Sequence, residues 1–185
     1  MLNHKGTATL ETPRLILRRA RPDDAQLMFD NWANDPDVTK FLTWPPHRSV
    51  EVTKQIINSW VAQYEKDGYY QWVIVLKEID QPIGSLIVNT VGRAESAHVG
   101  YCIGKAWWHR GLMSEALQRV IDFLFDEVGY HRVESLHDPN NPNSGAVMRK
   151  CGMQYEGTMR MADRNNQGIC DASYYAILAQ DWNEA

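Results

Sequence analysis

Residues 99–116 read VGYCIGKAWWHRGLMSEA and carry the clearest structural signal in the chain. They predict that a strand over Ser96–Ile103 leads through a short loop into a helix over residues 112–128, whose apolar side chains recur at helical spacing. Arg110 and Gly111 stand at the helix entrance. Because the first helical turn leaves about four backbone N–H groups unpaired at the positive end of the helix dipole, the junction suggests a phosphate site. An ordinary strand-to-helix corner, with Gly111 as a turn residue, fits the same spacing.

Other phosphate-binding patterns are absent from the sequence. There is no G-x-x-x-x-G-K-[ST] motif, and no G-x-G-x-x-G motif follows a predicted strand. A nucleoside-triphosphate enzyme would need a phosphate-binding lysine after the glycine, whereas position 112 is Leu. The sequence therefore gives no support to a P-loop enzyme or a dinucleotide-binding fold.

The elements around this stretch predict an α/β (α+β) fold with a mixed sheet. Both hairpins and strand–helix–strand units occur, so parallel and antiparallel pairs should coexist. Turn and cap signals are expected at Gln81-Pro82, at Ser49 as a helix N-cap, at Gly68 as a helix end and at the polar run 165–168. The predicted strands cover residues 14–19, 72–76, 83–88, 96–103, 132–137, 153–161 and 172–179, and the predicted helices begin near residues 22, 49, 112 and 144.

Length and composition indicate one globular domain over residues 1–185. Of the 185 residues 44% are hydrophobic and 23% charged, and the net charge of −4 argues against a nucleic-acid binder. No apolar run is long enough to span a membrane, and residues 1–6 lack the apolar core of a signal peptide. Cys102, Cys151 and Cys170 are odd in number and widely spaced, which favours free thiols in a reducing cytoplasm and argues against a zinc site.

Three stretches in order resemble the GCN5-related N-acetyltransferase (GNAT) superfamily, specifically its RimJ/RimL-type branch. Residues 11–18 (ETPRLILR) resemble the first-strand motif of that branch. Residues 99–101 with 107–116 resemble its "iGYwl…wwgkGyatEA" motif, and residues 141–157 resemble its "NxxSxxvxeKxGFxxeG" motif. The resemblance covers residues 10–182, and it implies a GNAT fold with a mixed sheet of six to seven strands flanked by about four helices.

The resemblance also implies acetyl-CoA as co-substrate and no metal. Its phosphate-loop window falls on residues 108–113, where Trp108 replaces Gln or Arg and Met113 replaces a small residue. The Met113 side chain must therefore turn away from the phosphates. The implied cofactor-binding residues are Tyr101, Cys102, Ile103, His109, Arg110, Gly111, Leu112, Met113, Ser114, Asn141 and Ser144.

Ser144 and His98 are the candidate catalytic residues. The resemblance implies that Ser144 gives a proton to the coenzyme A thiolate and that Asn141 binds the pantetheine arm. A helix N-cap is an equally good explanation of Ser144, because serine is a preferred capping residue. His98 stands on the strand where many relatives carry a glutamate base, and its imidazole has an accessible pKa, although a structural role is also open. Glu95 and Asp171 are alternative bases.

The resemblance implies that an amine acceptor, either a small molecule or a protein N-terminus, binds between residues 35–48, the second helix and the last hairpin. Trp32, Phe41, Trp44 and Tyr70 fall there or in the core. No nucleic acid and no membrane is expected as a partner. A homodimer through the last strands is possible, although no apolar stripe demands it. The leading hypothesis is an N-acetyltransferase, and the alternative is an acyl-CoA-binding sensor without turnover.

Overall fold

Eight strands form one mixed sheet in the computed structural model, which describes residues 1–182; residues 183–185 of the expected domain lie outside the described residues. The sheet order is β1-β2-β3-β4-β5-β6-β8-β7. The strands are β1 (Leu10–Glu11), β2 (Leu15–Arg18), β3 (Tyr70–Leu76), β4 (Gln81–Val91), β5 (Ser96–Ile103), β6 (Arg132–His137), β7 (Gln154–Asn165) and β8 (Gly168–Leu178).

The parallel pair, β5 with β6, lies near the middle of the sheet and is very short. It pairs Ala97 with Val133 and His98 with Glu134, whereas all the other neighbouring strands are antiparallel. Beyond these positions β5 continues to Ile103 without a ladder to β6. The two strands therefore diverge and leave a cleft in the sheet, beside backbone groups of β5 that have no strand partner.

Helices cover both faces of the sheet. They are α1 (Ala25–Met28, continued by a π-helical turn, Phe29–Ala33), α2 (Pro36–Thr39), α3 (Val50–Val61), α4 (Leu112–Phe123, continued by a π-helical turn, Leu124–Val128), α5 (Pro142–Lys150) and α6 (Ala179–Trp182). None of these helices combines the length and apolar character of a membrane span, within residues 1–182.

All seven residues of strand β3 are buried, and their side chains contribute to two hydrophobic clusters. Trp72 and Ile74 join α4 in the larger cluster, while Val73 and Val75 join α1 and α3 in the other. Alternate side chains of a strand point to opposite faces, so a continuous apolar run is what a central, doubly covered strand requires.

The mixed α/β fold expected from the sequence is confirmed, with eight strands where six or seven were expected and six helices where about four were expected, within residues 1–182. The additional strand is the two-residue β1, which pairs with β2. The predicted bounds of β5 and β6 match the structure. The three cysteines are free.

Several predicted bounds differ from the structure: β4, β7 and β8 are longer than expected, and α5 begins at Pro142. Two predicted turn and end signals were wrong. The turn between β3 and β4 lies at residues 77–80, and Pro82 is inside β4 next to an irregularity in the ladder, a position at which proline is tolerated. Helix α3 ends at Val61 rather than near Gly68. The chain leaves the helix there, and the Tyr64 hydroxyl accepts from the Ala20 N–H at 2.8 Å and donates to the Gln71 carbonyl at 2.9 Å.

The last hairpin, formed by β7 and β8, has a tight turn and exposes several apolar side chains to solvent. Strands β7 and β8 extend to Asn165 and Gly168, so that two residues connect them. Four large apolar side chains of this hairpin are more than half exposed: Tyr155, Met159, Met161 and Ile169.

Candidate active site

The loop before α4 has the backbone of an anion-binding site. His109 and Gly111 both adopt left-handed conformations, with φ of 59° and 73°, and Gly111 is the N-cap of α4. The first helical amide bond runs from Glu115 to the Gly111 carbonyl at 3.1 Å. The N–H groups of residues 112–114 therefore have no helical partner and stand at the positive end of the dipole.

A cavity of about 560 Å³ adjoins this loop. Within the described part of the chain, ten of the eleven expected cofactor-binding residues line it: Tyr101, Cys102, Ile103, His109, Gly111, Leu112, Met113, Ser114, Asn141 and Ser144. The structure thus brings together residues from β5, the loop, α4 and α5 around one space.

Arg110 is the expected cofactor-binding residue that does not line the cavity. Its guanidinium is 3.6 Å from the Glu78 carboxylate at the surface, and its carbonyl accepts a hydrogen bond from Arg14 at 3.0 Å. The side chains of Leu112 and Met113 are 1% and 5% exposed and pack in the core. The loop therefore offers its backbone rather than these side chains to a ligand.

Two basic residues that were not among the expected site residues lie beside Gly111. A Cβ atom at position 111 would be 3.3 Å from Lys150 Nζ and 3.7 Å from an Arg14 guanidinium nitrogen. Lys150 also lines the cavity, at the C-terminal end of α5. Arg14 belongs to the first sequence motif and Lys150 to the third. The fold brings both side chains to Gly111, which belongs to the second motif.

Ser144 occupies the third position of α5, and Asn141 is the N-cap. The alternative that Ser144 caps the helix is therefore wrong. Tyr101 donates from its hydroxyl to the Ser144 carbonyl at 3.0 Å, and the two hydroxyl oxygens are 3.1 Å apart. Burial raises the pKa of Tyr101 well above its usual value, so the phenol stays protonated. The Asn141 side chain makes no capping bond at the cavity wall.

His98 lies where β5 and β6 part, outside the residues that line the cavity. Its Nδ1 is 3.8 Å from a Glu134 carboxylate oxygen, and Arg132 holds the other oxygen at 2.8 Å. Burial lowers the pKa of His98, and Glu134 offsets part of that shift. Glu95 and Asp171 are also outside the cavity lining.

Residues 37–42 form a part of the cavity wall separate from the loop that leads into α4 (residues 108–114, here called the anion loop). Val38, Phe41 and Leu42 contribute apolar surface, beside Lys40 and Asp37. Asp37 is ion-paired with Lys105, whose hydrogen bond lowers the pKa of the carboxyl. Among the aromatic candidates, Phe41 lines this wall, Trp32 and Tyr70 are buried in the two clusters, and Trp44 packs against one of them.

Residues 39–44 are hydrogen-bonded to the turn of the β7–β8 hairpin, which does not itself line the cavity. Asn166 donates from its backbone N–H to the Leu42 carbonyl at 3.1 Å. Its side-chain amide donates to the carbonyls of Thr39 and Trp44, both at 2.7 Å. The hairpin thus contacts the predicted pocket loop, although neither α3 nor the hairpin lines the cavity.

The described residues contain no group of three or more His, Cys, Asp or Glu side chains that could hold a metal ion. Burial raises the pKa of Cys102, which lies in the cavity wall on β5. Hydroxyls, asparagine amides and the basic side chains of Lys40 and Lys150 are among the polar groups that line the cavity.

Comparisons with known proteins identify the class of protein. The model of the acetyltransferase (GNAT) domain matches residues 14–154. The chain is 30% identical over 179 residues to an N-acetyltransferase of Bacillus licheniformis, p20, with 94% of this chain and 98% of the relative covered. It is 27% identical over 157 residues to the ribosomal protein uS5-alanine N-acetyltransferase of Escherichia coli, with 80% of this chain and 79% of the relative covered.

Solved structures share the fold. A GNAT-family acetyltransferase from Bacillus anthracis superposes with a TM-score of 0.82 at 23% identity, covering 94% of this chain and 99% of that chain. RimL, a ribosomal L7/L12 α-N-protein acetyltransferase in complex with coenzyme A, superposes with a TM-score of 0.81 at 20% identity, covering 92% and 98%.

The chain therefore belongs to the GNAT superfamily, and its relatives support the RimJ/RimL-type branch. It is an N-acetyltransferase that uses acetyl-CoA.

Proposed function

We propose that this protein transfers an acetyl group from acetyl-CoA to a primary amine by direct attack of the amine on the thioester. The observation that carries the proposal is the single cavity that runs from the free amides of residues 112–114 to the Tyr101–Ser144 pair. The cavity also reaches the wall at residues 37–42, where an acceptor can approach. We also propose that residues 1–185 form one acetyltransferase domain, because β1 to β8 belong to one sheet.

The anion loop holds the phosphate end of the co-substrate. The N–H groups of residues 112–114 donate to the diphosphate, and Lys150 adds a positive charge beside Gly111. Asn141 and the backbone of β5 beyond His98 bind the pantetheine arm. We therefore expect the reactive end of the co-substrate to lie beside the part of β5 that continues without a ladder to β6.

Acetyl-CoA supplies an activated thioester, so few catalytic groups are needed. Unpaired N–H groups of β5 donate to the thioester oxygen as it gains negative charge. The C–N bond forms as the C–S bond breaks, and the amine loses one proton. Ser144 donates one proton to the departing thiolate and regains one from solvent, so that the net transfer is from amine to thiol. His98 is the proposed base; it takes the amine proton through solvent, because the imidazole lies outside the cavity lining.

The wall favours an α-amine or another weakly basic amine as acceptor. Asp37 is the one carboxylate that lines the cavity within residues 1–182, and Lys105 already neutralises it. A polyamine would find no free counter-charge there. At pH 7 an α-amine is neutral in about a tenth to a sixth of molecules, whereas a lysine side chain is neutral in about one in 2,500. A protein N-terminus or a small α-amine therefore suits this site.

An amine panel tests the proposal. Thermal shift with acetyl-CoA is followed by thiol release with peptides of free N-terminus, the same peptides with blocked N-termini, a polyamine and an aminoglycoside. We expect stabilisation by acetyl-CoA and thiol release with free N-termini or small α-amines. Binding without thiol release for any amine would support the sensor alternative, and absence of binding would contradict the site itself.

A further inference from the structure

The Glu115 carboxylate accepts hydrogen bonds from a segment that lies about a hundred residues earlier in the chain. Its Oε1 accepts from Thr12 Oγ1 at 2.6 Å and from the Arg14 backbone N–H at 3.0 Å. Its Oε2 accepts from Arg14 Nε at 2.6 Å. Burial by itself would raise the pKa of Glu115, but these hydrogen bonds outweigh it and lower the pKa. The carboxylate is therefore ionised, and both of its oxygens accept hydrogen bonds.

The same contacts reach the anion loop. Arg14 donates from a terminal guanidinium nitrogen to the Arg110 carbonyl at 3.0 Å, between the left-handed residues His109 and Gly111. The Glu115 backbone N–H holds the Gly111 carbonyl at 3.1 Å. A left-handed histidine is a strained conformation that persists only where its surroundings fix it. Thr12, Arg14 and Glu115 supply such surroundings on the side of the loop away from the cavity.

We propose that Thr12 and Glu115 are positioning residues for the anion loop, and that they act through Arg14. Glu115 orients the guanidinium, Thr12 orients the carboxylate, and the guanidinium holds the Arg110 carbonyl so that the amides of residues 112–114 face the phosphates. This inference rests on the proposed binding of acetyl-CoA. It gives the first sequence motif a part in coenzyme binding although, among its residues 11–18, none lines the cavity.

Two possible effects of Glu115 on coenzyme A binding, positioning of the loop and direct charge repulsion, can be distinguished by removing its charge. A carboxylate in the first turn of α4 repels a phosphate bound at the same helix end. If Glu115 acted by charge alone, Glu115→Gln would tighten coenzyme A binding. If Glu115 positions the loop, the same substitution weakens binding, because the guanidinium loses its partner.

Titration calorimetry with coenzyme A tests the inference on the full chain. We expect Glu115→Gln to weaken binding by about tenfold, the order of one lost charged hydrogen bond, and Thr12→Val to weaken it in the same direction. Thr12→Ser keeps the hydroxyl and should restore wild-type affinity. Amide hydrogen exchange of residues 107–118 in the free protein should accelerate in Glu115→Gln and Thr12→Val.

A remote pair of the same chemistry provides the control. Arg132 holds Glu156 through two hydrogen bonds of 2.7 and 2.6 Å, away from the cavity. Glu156→Gln should leave the coenzyme affinity unchanged. Unchanged or tighter binding by Glu115→Gln would overturn the positioning role alone, whereas a wild-type chain that binds no coenzyme A would overturn the proposed function together with it.

Discussion

The hydroxyl of Tyr101 on β5 lies 3.1 Å from the Ser144 Oγ on α5 and donates its proton to the Ser144 carbonyl. The Tyr101 proton is thereby bound by the backbone carbonyl, so that Tyr101 holds Ser144 in place while the serine keeps its own proton. Because burial raises the pKa of Tyr101, its proton is held firmly. Ser144 is thus the proposed proton donor, and Tyr101 fixes where its hydroxyl lies.

Tyr101→Phe keeps the aromatic ring in the cavity wall and removes this contact. We expect kcat to fall by about three- to tenfold, and stability to fall by about 1 kcal/mol, because the Ser144 carbonyl loses its donor. The Kd for acetyl-CoA should stay near the wild-type value. Thiol-release kinetics with an amine accepted by the wild type, together with chemical denaturation, measure these quantities.

Tyr130→Phe is the matched control for this substitution. The Tyr130 hydroxyl is 2.5 Å from Thr90 Oγ1 in the core, outside the cavity lining. This variant should lose a similar amount of stability without losing kcat. A Tyr101→Phe enzyme with unchanged kcat would contradict the positioning of Ser144 by Tyr101.

Ser144→Ala should slow the reaction by about ten- to a hundredfold, at the low end for general acid catalysis. The reason is that a thiol has a pKa near 8.5, so that the thiolate leaves tolerably well without a proton donor. The rate loss should shrink with acyl donors whose thiol is more acidic. An equal loss with all donors would contradict proton donation by Ser144.

Gly111→Ala tests the anion loop. A left-handed alanine costs about 1–2 kcal/mol of stability, and the added Cβ would press on Lys150 Nζ at 3.3 Å. We expect weaker coenzyme A binding in calorimetry as well as a lower melting temperature. Gly129→Ala is the control, because Gly129 has φ of 86° at the other end of the same helical segment and no atom within 4 Å of an added Cβ. It should lose stability but keep its affinity.

The pH dependence of the rate tests His98. Its pKa is lowered in the folded protein by burial, so the imidazole is neutral at pH 7 and can accept a proton. In addition to the limb set by the pKa of the amine itself, kcat/KM should therefore show a second acid limb below pH 6.5, and His98→Gln should remove this second limb. A profile unchanged in His98→Gln would exclude His98 as the base and leave proton transfer to solvent.

The same lowered pKa has a consequence for folding. Below pH 6.5 the unfolded chain takes up a proton at this histidine that the folded chain resists. The stability associated with His98 is therefore complete above pH 6.5 and is lost as the pH falls toward the folded pKa. The melting temperature of the wild type should drop more than that of His98→Gln between pH 7.5 and pH 5.5.

The sequence predicted those parts of the fold whose signals are local. The bounds of β5 and β6 follow from apolar alternation, and the loop at Gly111 follows from a glycine at a strand-to-helix junction. Gln81-Pro82 gave a misleading turn signal, because a proline is also compatible with a ladder irregularity of the kind present in β4.

The site was predictable only as far as the motifs extend. Ten cofactor-binding candidates line one cavity because their motifs lie on adjoining elements. The contact of Arg14 with the loop joins residues about a hundred positions apart, and that of Lys150 joins residues about forty positions apart. No local pattern encodes such distances. The sequence also did not show that the N-cap of α5 is Asn141 rather than Ser144, since both residue types are good helix caps.

The acceptor wall depends on one asparagine of the last hairpin. Asn166→Ala removes the side-chain donors to the carbonyls of Thr39 and Trp44, so residues 39–44 should exchange amide hydrogens faster. We expect the KM for the amine to rise by about three- to tenfold while the KM for acetyl-CoA changes little, since the anion loop is untouched. Gln167→Ala, at the neighbouring turn position, leaves both bonds intact and serves as the control. An equal rise of both KM values in Asn166→Ala would show that residues 37–42 do not form a wall specific to the acceptor.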